Sequence, residues 1–371
     1  MLDEITEAVL ARQEITEYLE GSRGREARER IQGYLEELRT TQRYSIYRAL
    51  KHPLYPILRK IERIGEFYQP VKAATLAGRV VYASNHRSHT DYLVEPLVLD
   101  DNGIRPPVIA AGINLFGGPL GLIHKHVTGA IPVRRNTKDP AYLITLKAYV
   151  AEMLRKHDLF FYPEGGRSYS GEIKNPKTGL MHAALFADQP NLVVVPTAIS
   201  YDMVVEDHIL ARQGVKRTQR PFSRELAEMV RYTVGYRSRS YVSFGAPMSP
   251  DGVDANSRRD VLAFTHSVMT AIGRVVKVLP TPLIASAMRP SITRRELLDR
   301  TEALIDTLRA GNANMGVTSG REAVELGVEA LVTRGVIVRE RSVLRVRDRH
   351  VLRYYARTIE HLLTSPSKRT H

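Results

Sequence analysis

The sequence predicts an α/β protein: a mixed, mostly parallel sheet flanked by helices, with a helical N-terminal extension over 1–70 and a mainly helical, winged-helix-like α+β segment over 281–371. Three patterns predict it. Between residues 79 and 279, short β-branched apolar runs alternate with longer segments of helical periodicity, as strand–helix–strand units do. Before residue 40, apolar residues recur at helical spacing among mixed charges. Beyond residue 281, two helical segments are followed by two short apolar runs, the order of a winged helix.

Composition bounds the function. At 371 residues the chain exceeds what one core usually organises, so a central domain of 71–280 with extensions at both ends is expected. There is no cysteine, which excludes disulfides, thiolate metal sites and a thiol nucleophile, and fits a cytoplasmic setting. The first twenty residues are acidic and amphipathic, unlike a signal peptide. A net charge of +14, from 54 Lys and Arg against 40 Asp and Glu, implies anionic partners: phosphorylated metabolites, acidic carriers, lipid headgroups or nucleic acid.

Ile5, Val9, Ile15, Leu19, Ile31, Leu35 and Leu38 mark one or two solvated helices, broken near Gly21-Ser-Arg-Gly24. Between Arg43 and Tyr68 the chain turns basic and tyrosine-rich, with Tyr44, Tyr47 and Tyr55 among Arg48, Lys51, Arg59, Lys60 and Arg63. Such a stretch suits a membrane surface or a helix packed on the central domain. Arg79 to Ser84 reads as a buried strand, and a helix runs from Tyr92 to Leu99 with Thr90 or Asp91 as N-cap. Pro106 to Ile123 is eighteen residues without a charge, but its prolines and glycines break a membrane span; it reads as a strand, Val108 to Ala111, and an apolar glycine-rich segment. A helix from Pro140 to His157, a strand from Leu159 to Tyr162, a short helix from Gly179 to Ala187 and a strand from Leu192 to Ser200 follow. A strand from Ser240 to Pro247 and a helix from Asp260 to Leu279 close the domain. In the tail, helices Arg294 to Arg309 and Arg321 to Arg334 precede the runs Val336 to Val338 and Val343 to Val346, and a last helix spans Arg349 to Leu363.

The candidate chemistry lies in Asn85-His-Arg-Ser-His-Thr-Asp-Tyr-Leu93. His86 and Asp91 would stand about 140° apart around a continuous helix, so a turn must bring them together. A strand ending before His86 and a helix starting at Asp91 provide one, at the carboxyl end of a strand where open α/β sheets bind ligands. The carboxylate then fixes the imidazole tautomer and leaves the other nitrogen to take a proton from a hydroxyl. His89 is two residues from Asp91, and exchange of the two histidines' roles stays open. Arg134 and Arg135 end an apolar segment, where a guanidinium fork suits a phosphate. In Glu164-Gly165-Gly166-Arg167 the glycines let backbone approach a ligand, and Lys177 sits on a turn nearby.

The His86-x4-Asp91 block resembles the first block of the glycerolipid acyltransferases, and H-R-S-H-x-D-Y is similar to the glycerol-3-phosphate 1-O-acyltransferase branch. Gly129-Ala-Ile-Pro-Val-Arg-Arg135, Tyr162-Pro-Glu-Gly-Gly-Arg-Ser-Tyr-Ser-Gly171 and Val193-Val-Val-Pro-Thr-Ala-Ile-Ser-Tyr201 resemble the second, third and fourth blocks in family order. Tyr169 and Ser170 depart from the Arg and Thr expected there. The resemblance covers roughly residues 70 to 250 and implies a glycerol-3-phosphate acyltransferase-like fold and acyl transfer from acyl-CoA or acyl carrier protein to the sn-1 hydroxyl of glycerol 3-phosphate. His86 and Asp91 are then catalytic; Arg87, Arg134, Arg135, Glu164, Gly165, Gly166, Arg167 and Ser168 bind substrate; Pro196 shapes the acyl side. No metal or cofactor is implied beyond the thioester co-substrate. Peripheral attachment to the cytoplasmic side of an anionic cell membrane follows, and nucleic acid is disfavoured as a partner. The alternatives are an acyltransferase using dihydroxyacetone phosphate or lysophosphatidate, and a non-catalytic basic scaffold binding lipid or nucleic acid.

Overall fold

The computed structural model describes residues 4–21, 24–40, 61–116, 129–216 and 238–364. Helices α1 (Glu4–Leu10), α2 (Gln13–Glu20) and α3 (Gly24–Leu38) precede strand β1 (Ile61–Glu66) and helix α4 (Gln69–Ala77). The central region runs β2 (Val80–Ser84), α5 (Asp91–Asp101), β3 (Val108–Gly112), β4 (Ala130–Val133), α6 (Pro140–Leu154), β5 (Leu159–Phe161), α7 (Gly179–Leu185), β6 (Val193–Tyr201), α8 (Asp207–Lys216), β7 (Ser238–Phe244) and α9 (Arg258–Val275). The tail holds β8 (Lys277–Val278), α10 (Pro280–Ala287), β9 (Ser291–Thr293), α11 (Arg294–Ala310), β10 (Asn314–Met315), α12 (Gly320–Thr333), β11 (Ile337–Glu340), β12 (Val343–Val346), α13 (Arg349–Arg357) and α14 (Glu360–Leu363).

The main sheet has the order β1-β7-β6-β2-β5-β3-β4. The β6–β7 pair is antiparallel and its other described neighbours are parallel. The expected mixed, mostly parallel α/β sheet is therefore the observed one. Successive strand residues face opposite sides, so β2 feeds two cores. Val81 and Ala83 pack with Val9, Ile31 and Leu35 of the N-terminal helices and with Tyr142 and Tyr149 of α6. Val80 and Tyr82 belong to the cluster that holds Leu97 of α5 and Ile284, Val324, Val351 and Tyr355 of the tail. The N-terminal helices thus join one core and the tail joins the other.

That packing redraws two expected borders. Strand β1 lies inside the stretch assigned to the N-terminal extension, yet it pairs with β7 along its whole length. Glu62, Arg63 and Glu66 hid it, because an edge strand tolerates charge that a central strand does not. Most of the basic tyrosine-rich stretch, residues 41–60, lies outside the described residues, as do 117–128, which include the end of the uncharged run and His124-Lys-His126. At the other border, residue 281 falls within α10, whose Leu283 and Ile284 are fully buried.

The remaining differences are local. Helix α9 stops at Val275 because Lys277–Val278 pairs with β10, and Pro280 then starts α10 at a position where its missing amide is harmless. The expected last helix is two, α13 and α14. The expected wing is present as β11–β12, extended by β9 into a three-stranded antiparallel sheet. Helix α12 exposes Glu325 and Glu329, charges that repel a phosphate backbone.

Candidate active site

Strand β2 is the middle strand of the main sheet, and the loop that leaves it carries the His86 block. Asn85 pins this loop to β6: its side-chain oxygen accepts from Ile199 N at 2.8 Å and its amide donates to Ile199 O at 3.2 Å. Asp91 opens α5 and is fully buried. Its Oδ2 accepts from His86 Nδ1 at 2.8 Å, Arg87 N at 2.6 Å and Ser88 N at 2.9 Å, while Oδ1 accepts from the Tyr201 hydroxyl at 2.7 Å. Thr90 precedes the helix but makes no capping bond through its side chain. Asp91 instead reaches back to the amides before it, because its carboxylate orients a histidine.

The histidine in the dyad is His86. His89 is held by its backbone amide, which donates to Glu206 Oε1 at 2.6 Å. With Nδ1 engaged by Asp91, Nε2 is left to accept a proton. Burial pulls the His86 pKa from 6.5 down to about 4; Asp91 opposes the shift, and Arg167 and His89 add to it. The ring is therefore a neutral imidazole at physiological pH, the form a general base needs. Tyr162 lies flat against it, with centroids 4.1 Å apart and planes at 13°.

The third block folds over this loop. Glu164 accepts from His86 N at 3.1 Å and Lys174 N at 3.0 Å. Ser168 N donates to His86 O at 2.9 Å, and Ser168 Oγ to Glu172 O at 2.6 Å. Gly165 takes a positive φ of 70°, which lets the chain turn back with Lys177 against it. Glu164 and Ser168 thus act on backbone groups and shape the site, where substrate contact was expected.

Three cations converge beside this frame. The Arg135 guanidinium lies across Gly112 and Gly166; a Cβ on Gly112 would stand 2.6 Å from Arg135 Nη2. Arg167 is nearly buried, 3.7 Å from Glu206 and over the Tyr169 ring. Lys174 donates to Gly166 O at 2.6 Å and Arg167 O at 2.8 Å. Burial lowers the Lys174 pKa, Glu164 partly offsets it, and Arg135, Arg167 and Arg87 lower it further. Arg135 is lowered mainly by burial too, with Tyr169 opposing and Arg167 contributing. A dianionic phosphate would relieve this repulsion.

The other expected site residues make contacts of their own. Arg134 turns outward, pairs with Glu37 of α3 and covers the Tyr34 and Tyr142 rings. Arg87 is buried, donates to Gly171 O and faces Tyr354 of α13. Pro196 sits within β6 beside Ala83, its carbonyl accepting from Gly245 N at 2.7 Å. Asn85, Glu95, Lys174, Tyr201 and Glu206 were not anticipated as site residues. Tyr201 ends the fourth block and Glu206 follows it closely, but no spacing rule points to either. Among the described residues, no cluster of His, Asp or Glu is placed to hold a metal ion.

Comparison with known proteins agrees with this geometry. Residues 60–200 match the family described as Acyltransferase, and residues 226–368 match the glycerol-3-phosphate acyltransferase C-terminal region. The chain is 28% identical to a glycerol-3-phosphate acyltransferase of Glaesserella parasuis, over 92% of this chain and 47% of that one. It is 29% identical to one of Aeromonas hydrophila over 94% and 48%, and 28% identical to a putative acyltransferase of Mycobacterium tuberculosis over 82% and 52%. The chain spans about half the length of these curated relatives.

Proposed function

We propose that this chain, which belongs to the glycerolipid acyltransferases with the His-x4-Asp motif, moves a fatty acyl group from an acyl thioester to the sn-1 hydroxyl of glycerol 3-phosphate. The observation that supports it is the juxtaposition of a neutral His86, held by Asp91, with the cations Arg135, Arg167 and Lys174. The cations hold the phosphate, and His86 Nε2 takes the proton of the hydroxyl. The alkoxide oxygen forms the ester bond to the thioester carbon. The carbon–sulfur bond breaks, and the imidazolium returns its proton to the departing thiolate. The products are lysophosphatidate and the free thiol of coenzyme A or carrier protein. Neither an acyl-enzyme nor a metal takes part.

Thiol release, followed with acyl-CoA and acyl carrier protein against glycerol 3-phosphate, dihydroxyacetone phosphate and lysophosphatidate, tests the proposal. Turnover with glycerol 3-phosphate is expected; turnover confined to another acceptor would replace the substrate, and none with any acceptor would leave a binding scaffold. Peripheral attachment to anionic membrane is part of the proposal, supported by the net charge of +14 and the amphiphilic product. Among the described residues no helix is long and apolar enough to cross a membrane. Cosedimentation should be stronger with anionic than neutral vesicles and weaken with salt, each engaged cation being worth about 1 kcal/mol.

A further inference from the structure

Glu95 is a buried carboxyl group that the proposed reaction does not use. It stands one turn after Asp91 on the same face of α5 and is fully buried. Asp91 faces three N–H groups and a hydroxyl; Glu95 faces two hydroxyls. Tyr162 donates to its Oε2 at 2.8 Å, and Ser84, the last residue of β2, is hydrogen-bonded to its Oε1. Burial, and then the Asp91 charge, push the Glu95 pKa well above the ordinary carboxylate range. It is an anchor.

What it anchors is the ring stacked on His86. Tyr162 meets the imidazole face to face and Phe160 edge-on, at 5.3 Å and 75°. One bond from Nδ1 to Asp91 leaves the imidazole able to rock about that bond, and a flat surface against its face stops the rocking. The negative face of an aromatic ring also favours an imidazolium over a neutral imidazole. Burial makes the imidazolium costly here, so the contribution matters. The charged or titratable groups around the ring are Asp91, Arg167, His89 and, through the His86 amide, Glu164. Around Tyr162 they are Glu95, Asp91 and Tyr201.

We infer that Glu95 is a positioning residue for the base: by anchoring the Tyr162 hydroxyl it lays the tyrosine ring as a shelf under His86, which sets the imidazole plane and steadies the imidazolium formed during turnover. This rests on His86 being the base, as proposed above. Glutamine keeps a carbonyl to accept from Tyr162 on a side chain of the same size, whereas leucine fills the space and offers no acceptor.

The test compares E95Q, E95L and Y162F in the full chain by steady-state kinetics and by NMR titration of the imidazole resonance that is absent in H86A. E95Q should keep kcat within about threefold, while E95L should lose about 10- to 100-fold in kcat with little change in KM for glycerol 3-phosphate. Y162F, which keeps the ring and loses only the anchor, should fall between them. The His86 titration should move to lower pH in E95L and Y162F and stay in place in E95Q. A loss in E95Q equal to that in E95L would overturn the inference, since the acid itself would then be required. Wild-type kcat and titration in Y162F would overturn it too, and that variant decides the matter if E95L does not fold. The titration needs no turnover, so a wild-type chain without transferase activity would sink the base assignment while the position of the His86 titration still settles the role of Glu95.

Discussion

A base that takes a proton from an alcohol must itself be uncharged, and burial ensures this for His86 by holding it near 4. The acid limb of kcat/KM should therefore lie near 4, where an ordinary histidine would lose activity from 6.5 downward. The same shift enters stability with a definite sign. Between 6.5 and about 4 the unfolded chain binds a proton that folded His86 refuses, so this contribution is complete above 6.5 and is lost as pH falls. H86A should lose on the order of 10²–10⁴ in kcat while keeping its circular dichroism spectrum, and its stability should fall less steeply below pH 6.5. A normal rate in H86A would remove the dyad from the mechanism. The neighbouring arginines make a matched pair at this scale. R135A should raise KM for glycerol 3-phosphate by roughly ten- to a hundred-fold, the worth of a charge-assisted hydrogen bond. R134A should leave that constant unchanged, because its guanidinium is spent on Glu37. Equal effects from the two would mean that Arg134 swings into the site.

At the scale of elements, the site is a set of loops latched to one another. The third block grips the first through Glu164 and Ser168, and β6 grips it through Asn85 and Tyr201. Just beyond β6, two consecutive carboxylates divide the work. Glu206 binds Ser88 Oγ and His89 N of the first loop, while Asp207 holds the tail by accepting from Arg334, at the end of α12, and from the Tyr355 hydroxyl of α13 at 2.7 Å. Gly171 completes the seam: a Cβ there would run into the Tyr354 carbonyl. Removing one partner of a buried ion pair strands the other, so D207A should cost about 3–5 kcal/mol in denaturant unfolding. A shift below about 1 kcal/mol, the level of an exposed pair, would mean that the seam contributes little to stability.

Across the whole molecule, the two chain ends contribute to different apolar cores, the N-terminal helices to one and the tail to the other. Cutting the chain after residue 280 would take Ile284, Val324, Val351 and Tyr355 out of the apolar cluster that also holds Ile199 and Tyr201. The expected result is an insoluble or molten product, seen as aggregation in size-exclusion chromatography and loss of near-ultraviolet dichroism. A monomeric truncated chain with a cooperative thermal transition would show that the tail is a separate domain.

The sequence by itself determined what short-range order controls. The strands β2, β5 and β6 were legible because buried parallel strands must be continuous apolar runs, and the helices between them because apolar residues recur at their period. His86 and Asp91 stood out because a strand-to-helix turn brings an acid and a base together, and Arg135 and Arg167 because their blocks resemble those of the glycerolipid acyltransferases. Tertiary structure decided the rest. Which histidine meets Asp91, why Arg135 and not Arg134 faces the cluster, and how Lys174 and Glu206 join it depend on contacts between residues far apart in sequence. Period and spacing carry no record of such contacts. Strand β1 was hidden because an edge position relaxes the burial that makes other strands visible. The tail looked separate because its helices have complete local signals of their own, whereas its attachment is tertiary: Ile284, Val324 and Val351 share the core cluster, and Asp207 binds Arg334 and Tyr355.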